Sequence, residues 1–176
     1  IYHYISKCYN LEEVIFENPN NPTPYYLEFS SSQIDKVTIK NVNTHFRDEY
    51  NYFENYEYPQ IKEIYVKSES GISFSSFYMD ETVSQNIKLE NLSICSYASG
   101  DLNFHNNQTI KNIEIMNYID HDGIINLNGC INLERFVCGA RSMYDTYQTI
   151  DVRNTPLLKE FTCNQANIKE ILFDSQ

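Results

Sequence analysis

Apolar residues recur along this chain at fixed offsets: one position, a second three residues later, and a third two residues after that. Seven segments carry the pattern, namely Leu11/Val14/Phe16, Ile34/Val37/Ile39, Ile61/Ile64/Val66, Leu89/Leu92/Ile94, Ile110/Ile113/Ile115, Leu133/Phe136/Cys138 and Leu158/Phe161/Cys163. Their first positions lie 23, 27, 28, 21, 23 and 25 residues apart. A self-similar period of this size is the signature of a stacked repeat, in which each copy is one turn of a solenoid. Within each copy the last two apolar positions alternate with polar ones, the period of a strand with one buried face.

A further apolar position falls six residues before the first, at Ile5, Val83, Phe104, Leu127 and Val152. It often closes an alternating pair, as in Leu102-Asn103-Phe104, Ile125-Asn126-Leu127 and Ile150-Asp151-Val152, which predicts a second short strand facing the same core. Turn formers stand between the two strands: Asn106-Asn107, Asn128-Gly129 and Asn154-Thr155-Pro156. Each coil is therefore expected to run strand, tight corner, strand, return. One such coil buries about five apolar side chains at ~1.5–3 kcal/mol each, whereas ordering its roughly 23 residues costs ~1–2 kcal/mol apiece in backbone entropy. A lone coil does not fold; stacked coils share apolar faces and backbone hydrogen bonds with both neighbours. Seven strands at the ~4.8 Å spacing of a sheet give a rod about 34 Å long.

Segments such as Thr149-Ile150-Asp151-Val152-Arg153-Asn154-Thr155-Pro156-Leu157-Leu158-Lys159-Glu160-Phe161-Thr162-Cys163 and Cys130-Ile131-Asn132-Leu133-Glu134-Arg135-Phe136-Val137-Cys138 resemble leucine-rich repeats. More narrowly, they are similar to the short repeats of secreted bacterial surface proteins, the BspA-like type. The resemblance covers nearly the whole chain, is weakest over residues 40–80, and is more specific for fold than for function. The Asn that such repeats carry three residues after the last strand position is displaced here to two residues after it, at Asn18, Asn41 and Asn117. The resemblance implies a β-rich leucine-rich-repeat solenoid of about seven coils of 21–28 residues, with a parallel β-sheet on one face and irregular return segments. It further implies a non-catalytic binding or adhesion module, an extracellular or outer-surface location, and a protein or glycan partner.

Residues 1–176 read as a single solenoid domain, expected to be part of a longer chain because it opens at Ile1 without an initiator Met. At the other end Phe173 aligns with Val152, so the chain stops where another strand of the repeat is due. Either further repeats or end-to-end self-association at this C-terminal coil is expected to cover that edge.

Composition narrows the partners. Tyr (15), Phe (10), Ile and Asn stand out, while Gly and Pro number five each, as strands joined by tight corners require. The formal net charge is −11, from 24 acids against 13 bases. The bases do not cluster, so neither nucleic acid nor an anionic membrane surface is an expected partner. No apolar run approaches the ~20 residues that span a bilayer, and no cofactor is expected.

The outward strand positions form columns. The first reads Glu12, Asp35, Lys62, Glu90, Lys111, Glu134, Lys159 and alternates in sign from Asp35 onward. Opposite charges on adjacent strands attract at ~0.2–1 kcal/mol per pair, so this column reads as a register-fixing ladder. The next two read Glu13, Lys36, Glu63, Asn91, Asn112, Arg135, Glu160 and Ile15, Thr38, Tyr65, Ser93, Glu114, Val137, Thr162. These columns line the open sheet face, with Tyr65 and Arg135 as candidate binding residues and Ile15, Tyr65 and Val137 as outward apolar positions.

The long coils hold insertions at Asn43–Pro59, Glu69–Asp80 and Arg141–Gln148. Tyr50, Tyr52, Tyr56 and Tyr58 stand in the first among carboxylates, where flat rings with polar tips suit a sugar ligand, although they equally fill the bulk of a long return. Asp120-His121-Asp122-Gly123 matches neither a calcium loop nor a zinc spacing and reads as a solvated turn. Cys138 and Cys163 occupy the same inward site in neighbouring coils. Their parallel Cβ vectors suit a disulfide badly, and they read as small buried hydrophobes. Cys8 and Cys130 share the site three before the first apolar residue, and Cys95 lies one residue past the last. A polysaccharide-processing parallel β-helix needs acids clustered in a cleft, which alternation with lysine opposes; a structural spacer within a surface protein is the third reading.

Overall fold

The computed structural model describes residues 2–6, 12–17, 25–30, 35–40, 44–46, 61–67, 77–79, 87–95, 102–116, 124–139, 146–164 and 167–174. Every regular element among them is a strand: β1 (Tyr2–Ser6), β2 (Glu13–Glu17), β3 (Tyr25–Ser30), β4 (Lys36–Lys40), β5 (Thr44–Phe46), β6 (Glu63–Lys67), β7 (Phe77–Met79), β8 (Asn91–Cys95), β9 (Leu102–Asn103), β10 (Asn112–Met116), β11 (Ile124–Asn126), β12 (Arg135–Gly139), β13 (Thr146–Asp151), β14 (Glu160–Asn164) and β15 (Asn167–Leu172). The even-numbered strands form one seven-stranded parallel sheet in the order β14-β12-β10-β8-β6-β4-β2. The odd-numbered ones form two four-stranded sheets, β1-β3-β5-β7 and β15-β13-β11-β9. The protein is thus a parallel β-solenoid whose chain passes back and forth between faces.

Sheet is therefore not confined to one face. Parts of all three supposed insertions are strands: β5 begins the first, β7 lies in the second, and the third runs into β13. Thr44, His45 and Phe46 pair with Phe77, Tyr78 and Met79, and aromatic and β-branched residues of this kind favour the pleat over an irregular loop.

Register in the seven-stranded sheet follows the apolar pattern. Val14, Val37, Ile64, Leu92, Ile113, Phe136 and Phe161 form one continuous row of Cα partners. Two residues on, Val66, Ile94, Ile115, Cys138 and Cys163 form another. The central members of both rows are sealed from solvent. Slipping any strand by one residue would turn these side chains outward, so burial itself selects the register. Leu102, Phe104, Ile125, Leu127, Ile150 and Val152 approach from the opposite sheet and complete the same core.

The two faces meet at a corner with a repeated backbone. Asn106, Gly129 and Asn154 all take positive φ, at 61°, 79° and 54°, a left-handed conformation that Gly and Asn tolerate best. Before each of them an Asx residue accepts the N–H two residues ahead: Asn103 from His105 (3.2 Å), Asn126 from Asn128 (3.2 Å) and Asp151 from Arg153 (3.1 Å). These three are themselves Cα partners across β9, β11 and β13. A Cβ at Gly129 would overlap the Asn106 side chain one coil away, so glycine, which also suits the φ, is what this neighbour requires.

One residue past each left-handed position stands a buried polar group: Asn107, Cys130 and Thr155. Asn107 donates to the Ile87 carbonyl (3.1 Å) and accepts from the N–H groups of Thr109 and Ile110 (2.9 Å each). Cys130 donates to the Phe104 carbonyl (3.1 Å), and Thr155 to the Val152 carbonyl (2.6 Å). Asn107, three residues after Phe104, is fully buried. The alternative positions Asn18, Asn41 and Asn117 lie outside the described residues.

Candidate recognition surface

The outward face of the seven-stranded sheet is the surface that the fold presents in its most regular form. Its backbone is locked first. The carbonyl of Glu12 accepts both Asp35 N–H (3.1 Å) and Lys36 N–H (3.0 Å), and the carbonyls of Asp35, Lys62, Glu90, Lys111 and Glu134 each repeat this double acceptance from the next strand. Two donors on one carbonyl hold the start of every strand at a fixed height, so the side chains of the first column stack directly on one another.

That column forms the expected charge ladder. Lys62 pairs with Asp35 at 3.3 Å, Lys111 with Glu90 at 2.7 Å and Lys159 with Glu134 at 2.7 Å. The Lys159 ammonium hydrogen-bonded to Glu134 holds that carboxyl below the usual carboxylate range. All of these groups are substantially exposed, so water screens each pair and salt weakens it further.

The second and third columns are cross-linked to each other. Lys36 pairs with Glu13 at 3.1 Å and stands 5.3 Å from the centre of the Tyr65 ring; the Glu13 hydrogen bond raises the Lys36 pKa. Thr38 donates to the same Glu13 oxygen, Oε1 (3.1 Å), and Tyr65 donates to Glu63 (3.3 Å). Partial burial, and then the Glu63 charge, push the Tyr65 phenol up. Further along, Asn112 donates to Asn91 at 2.7 Å. Arg135 bridges two acids, Glu160 at 3.0 Å and Glu114 at 3.3 Å.

Candidate residues divide accordingly. Tyr65 and Arg135 both lie on this face, but on β6 and β12, with β8 and β10 between them. They are three strand spacings, or about 14 Å, apart, and in different columns; each is held by its own carboxylate partners. Ile15 is open to solvent at 54 % exposure, whereas Val137, flanked by the joined Arg135 and Glu114 side chains, is only 8 % exposed. Tyr50, Tyr52, Tyr56 and Tyr58 lie outside the described residues, as do Asp120, His121 and Asp122. Among the described residues no group of three or more His, Cys, Asp or Glu is placed to hold a metal ion, and no helix is long and apolar enough to cross a membrane.

The corner edge carries a second polar strip. Asn154 donates to Asn128 across a coil (2.9 Å), Asn132 donates to the Gln108 carbonyl (2.7 Å), and Arg153 clasps Asp151 through Nε (2.9 Å) and Nη2 (2.6 Å). That clasp holds the Asp151 carboxyl below the usual range. The signal was present in the spacing: Asn107, Cys130 and Thr155 all stand three residues before a first apolar position, as Cys8 does. Three dissimilar residue types in one column hid it. Burial pushes the Cys130 thiol up to about 12, which leaves it a hydrogen-bond donor with no nucleophilic character.

No protein-family model matches the chain, and neither a curated protein nor a solved structure matches it.

Proposed function

We propose that this protein is a non-catalytic binding or adhesion module, a leucine-rich-repeat solenoid of about seven coils acting at an extracellular or outer cell surface on a protein or glycan partner. The observation that carries the reading is the outward face of the seven-stranded sheet, where rows of polar side chains stand in register and hold one another across strands. A surface ordered in advance loses little side-chain entropy when a partner docks. The repeat resemblance supports the surface location and the partner class. Self-association end to end at the C-terminal coil belongs to the same proposal: Phe173, at 55 % exposure, stacks edge-on to Phe161, and such an aromatic end would bury apolar area against another coil.

The test is binding of the whole chain to a glycan array and to a panel of immobilised surface proteins, repeated with Tyr65→Ala, Arg135→Ala and the pair Tyr52→Ala and Tyr56→Ala. The expected result is one ligand class whose affinity falls at least about tenfold with one of these variants, the size of an interface hot spot. Turnover of a polysaccharide would replace the proposal with a β-helix enzyme. Folded protein that binds neither class would make it a structural spacer.

A further inference from the structure

Among the described residues, the sheet core contains one pair of thiols set a strand spacing apart. Cys138 on β12 and Cys163 on β14 are Cα partners in parallel register. Both belong to the inward row that continues through Val66, Ile94 and Ile115. Cys138 is sealed from solvent, Cys163 is half-buried against the same core, and both are free thiols.

Parallel strands in register place equivalent Cβ atoms about 4.7–4.9 Å apart. A disulfide wants its Cβ atoms nearer, at about 3.5–4.5 Å, and turned across one another. The same spacing suits a metal bridge: two metal–sulfur bonds of about 2.3 Å laid end to end separate the sulfurs by about 4.6 Å. We propose that Cys138 and Cys163 form a two-thiolate site for a soft, linearly coordinated cation of the Cu(I) or Hg(II) class.

The surroundings fit that ion. Thiolates select soft cations, and the neighbouring Phe136 and Phe161 rings, stacked at 5.5 Å, supply an apolar wall. Half-buried Cys163 is the sulfur a cation meets first. Binding releases both thiol protons to solvent: Cu(I) and two thiols give a complex of charge −1 and two protons, and Hg(II) gives a neutral complex and two protons. Because burial penalises net charge, Hg(II) is the better fit of the two. The other described thiols are engaged elsewhere: Cys130 at the corner, and Cys95 on the outward face beside the Ser93 hydroxyl at 4.0 Å.

The experiment is titration of the fully reduced chain, without oxygen, with Cu(I) held by a coloured chelator and separately with Hg(II). One equivalent is expected to bind. Cys138→Val and Cys163→Val, which keep an apolar β-branched residue in the row and whose folding is checked by circular dichroism, should each weaken binding by more than about a hundredfold. Cys95→Ser and Cys130→Ser should leave it intact. Uptake of both ions, or of Hg(II) alone, with this variant pattern upholds the site. Uptake that survives Cys163→Val, uptake that follows Cys95 or Cys130, or no uptake of either ion overturns it.

Discussion

On the inward side of the seven-stranded sheet, Ile64, Leu92, Ile113 and Phe136 stack without a polar atom among them and without access to water. On the outward side of the same strands the row runs through Glu63, Asn91, Asn112, Arg135 and Glu160, with Asn112 hydrogen-bonded to Asn91 and Arg135 paired with Glu160 across the gaps. The two rows have identical backbone spacing, yet they work differently. Apolar burial contributes ~1.5–3 kcal/mol per side chain and is indifferent to its neighbour's identity. Exposed ion pairs contribute ~0–1 kcal/mol and depend entirely on the neighbour's sign. Stability thus resides on the inward side, and strand identity is written on the outward side.

The largest expected effect comes from breaking the inward row. Phe136→Ala should cost about 3–5 kcal/mol, the range for emptying a buried aromatic site, read as a fall in the midpoint of denaturant unfolding. A loss below 1 kcal/mol would mean that the stack collapses to fill the space, and that burial is less rigid than the register indicates.

Asn107 tests whether the core tolerates a polar group only because its bonds are complete. Asn107→Ala strands the N–H groups of Thr109 and Ile110, while the Ile87 carbonyl keeps the Thr109 hydroxyl at 3.4 Å. Each group left unpaired in the interior costs about 1–3 kcal/mol, so a loss of at least that size is expected in the same measurement. A variant as stable as the native chain would show that water replaces the amide.

Asp151 distinguishes a nearly buried charge from the exposed ladder. Arg153 holds its carboxyl below the usual range, so the folded-state pKa lies under the unfolded-state value of about 4. The stabilisation is then complete above about pH 4 and is lost as pH falls through the lower, folded-state value. Thermal melts of the native chain and of Asp151→Asn should differ by a constant amount from pH 7 to pH 5 and converge in stronger acid. A difference that persists at low pH would assign the effect to the Asx corner alone.

The smallest effect is expected on the outward ladder. A double-mutant cycle on Glu90 and Lys111 should give a coupling of about 0.2–1 kcal/mol that shrinks in high salt. Coupling larger than that would move part of the stability onto the outward side.

Much of this was legible in order along the chain. The offset from Ile110 to Ile113 and Ile115, repeated at Leu133, Phe136 and Cys138, sets both strand and register because a period of two leaves one face for the core. The lysine and acid alternation at Glu90, Lys111, Glu134 and Lys159 matches the pairs of the ladder, Lys111 with Glu90 and Lys159 with Glu134. Other features were hidden for physical reasons. β5 and β7 read as insertions because short strands bordered by polar residues carry too few alternations to register. The corner column was masked by chemistry, since Asn107, Cys130 and Thr155 satisfy backbone groups with an amide, a thiol and a hydroxyl.

The sequence by itself determined that the chain stacks, which residues face inward, and which charges meet, because these depend on local periodicity and on the sum of identical offsets. Tertiary structure alone decided that strands run through parts of the supposed insertions, and that Val137 is covered while Ile15 is open. Those outcomes depend on which side chains from other coils lie across the gap, and a distance of about 4.8 Å between strands corresponds to more than twenty residues of chain.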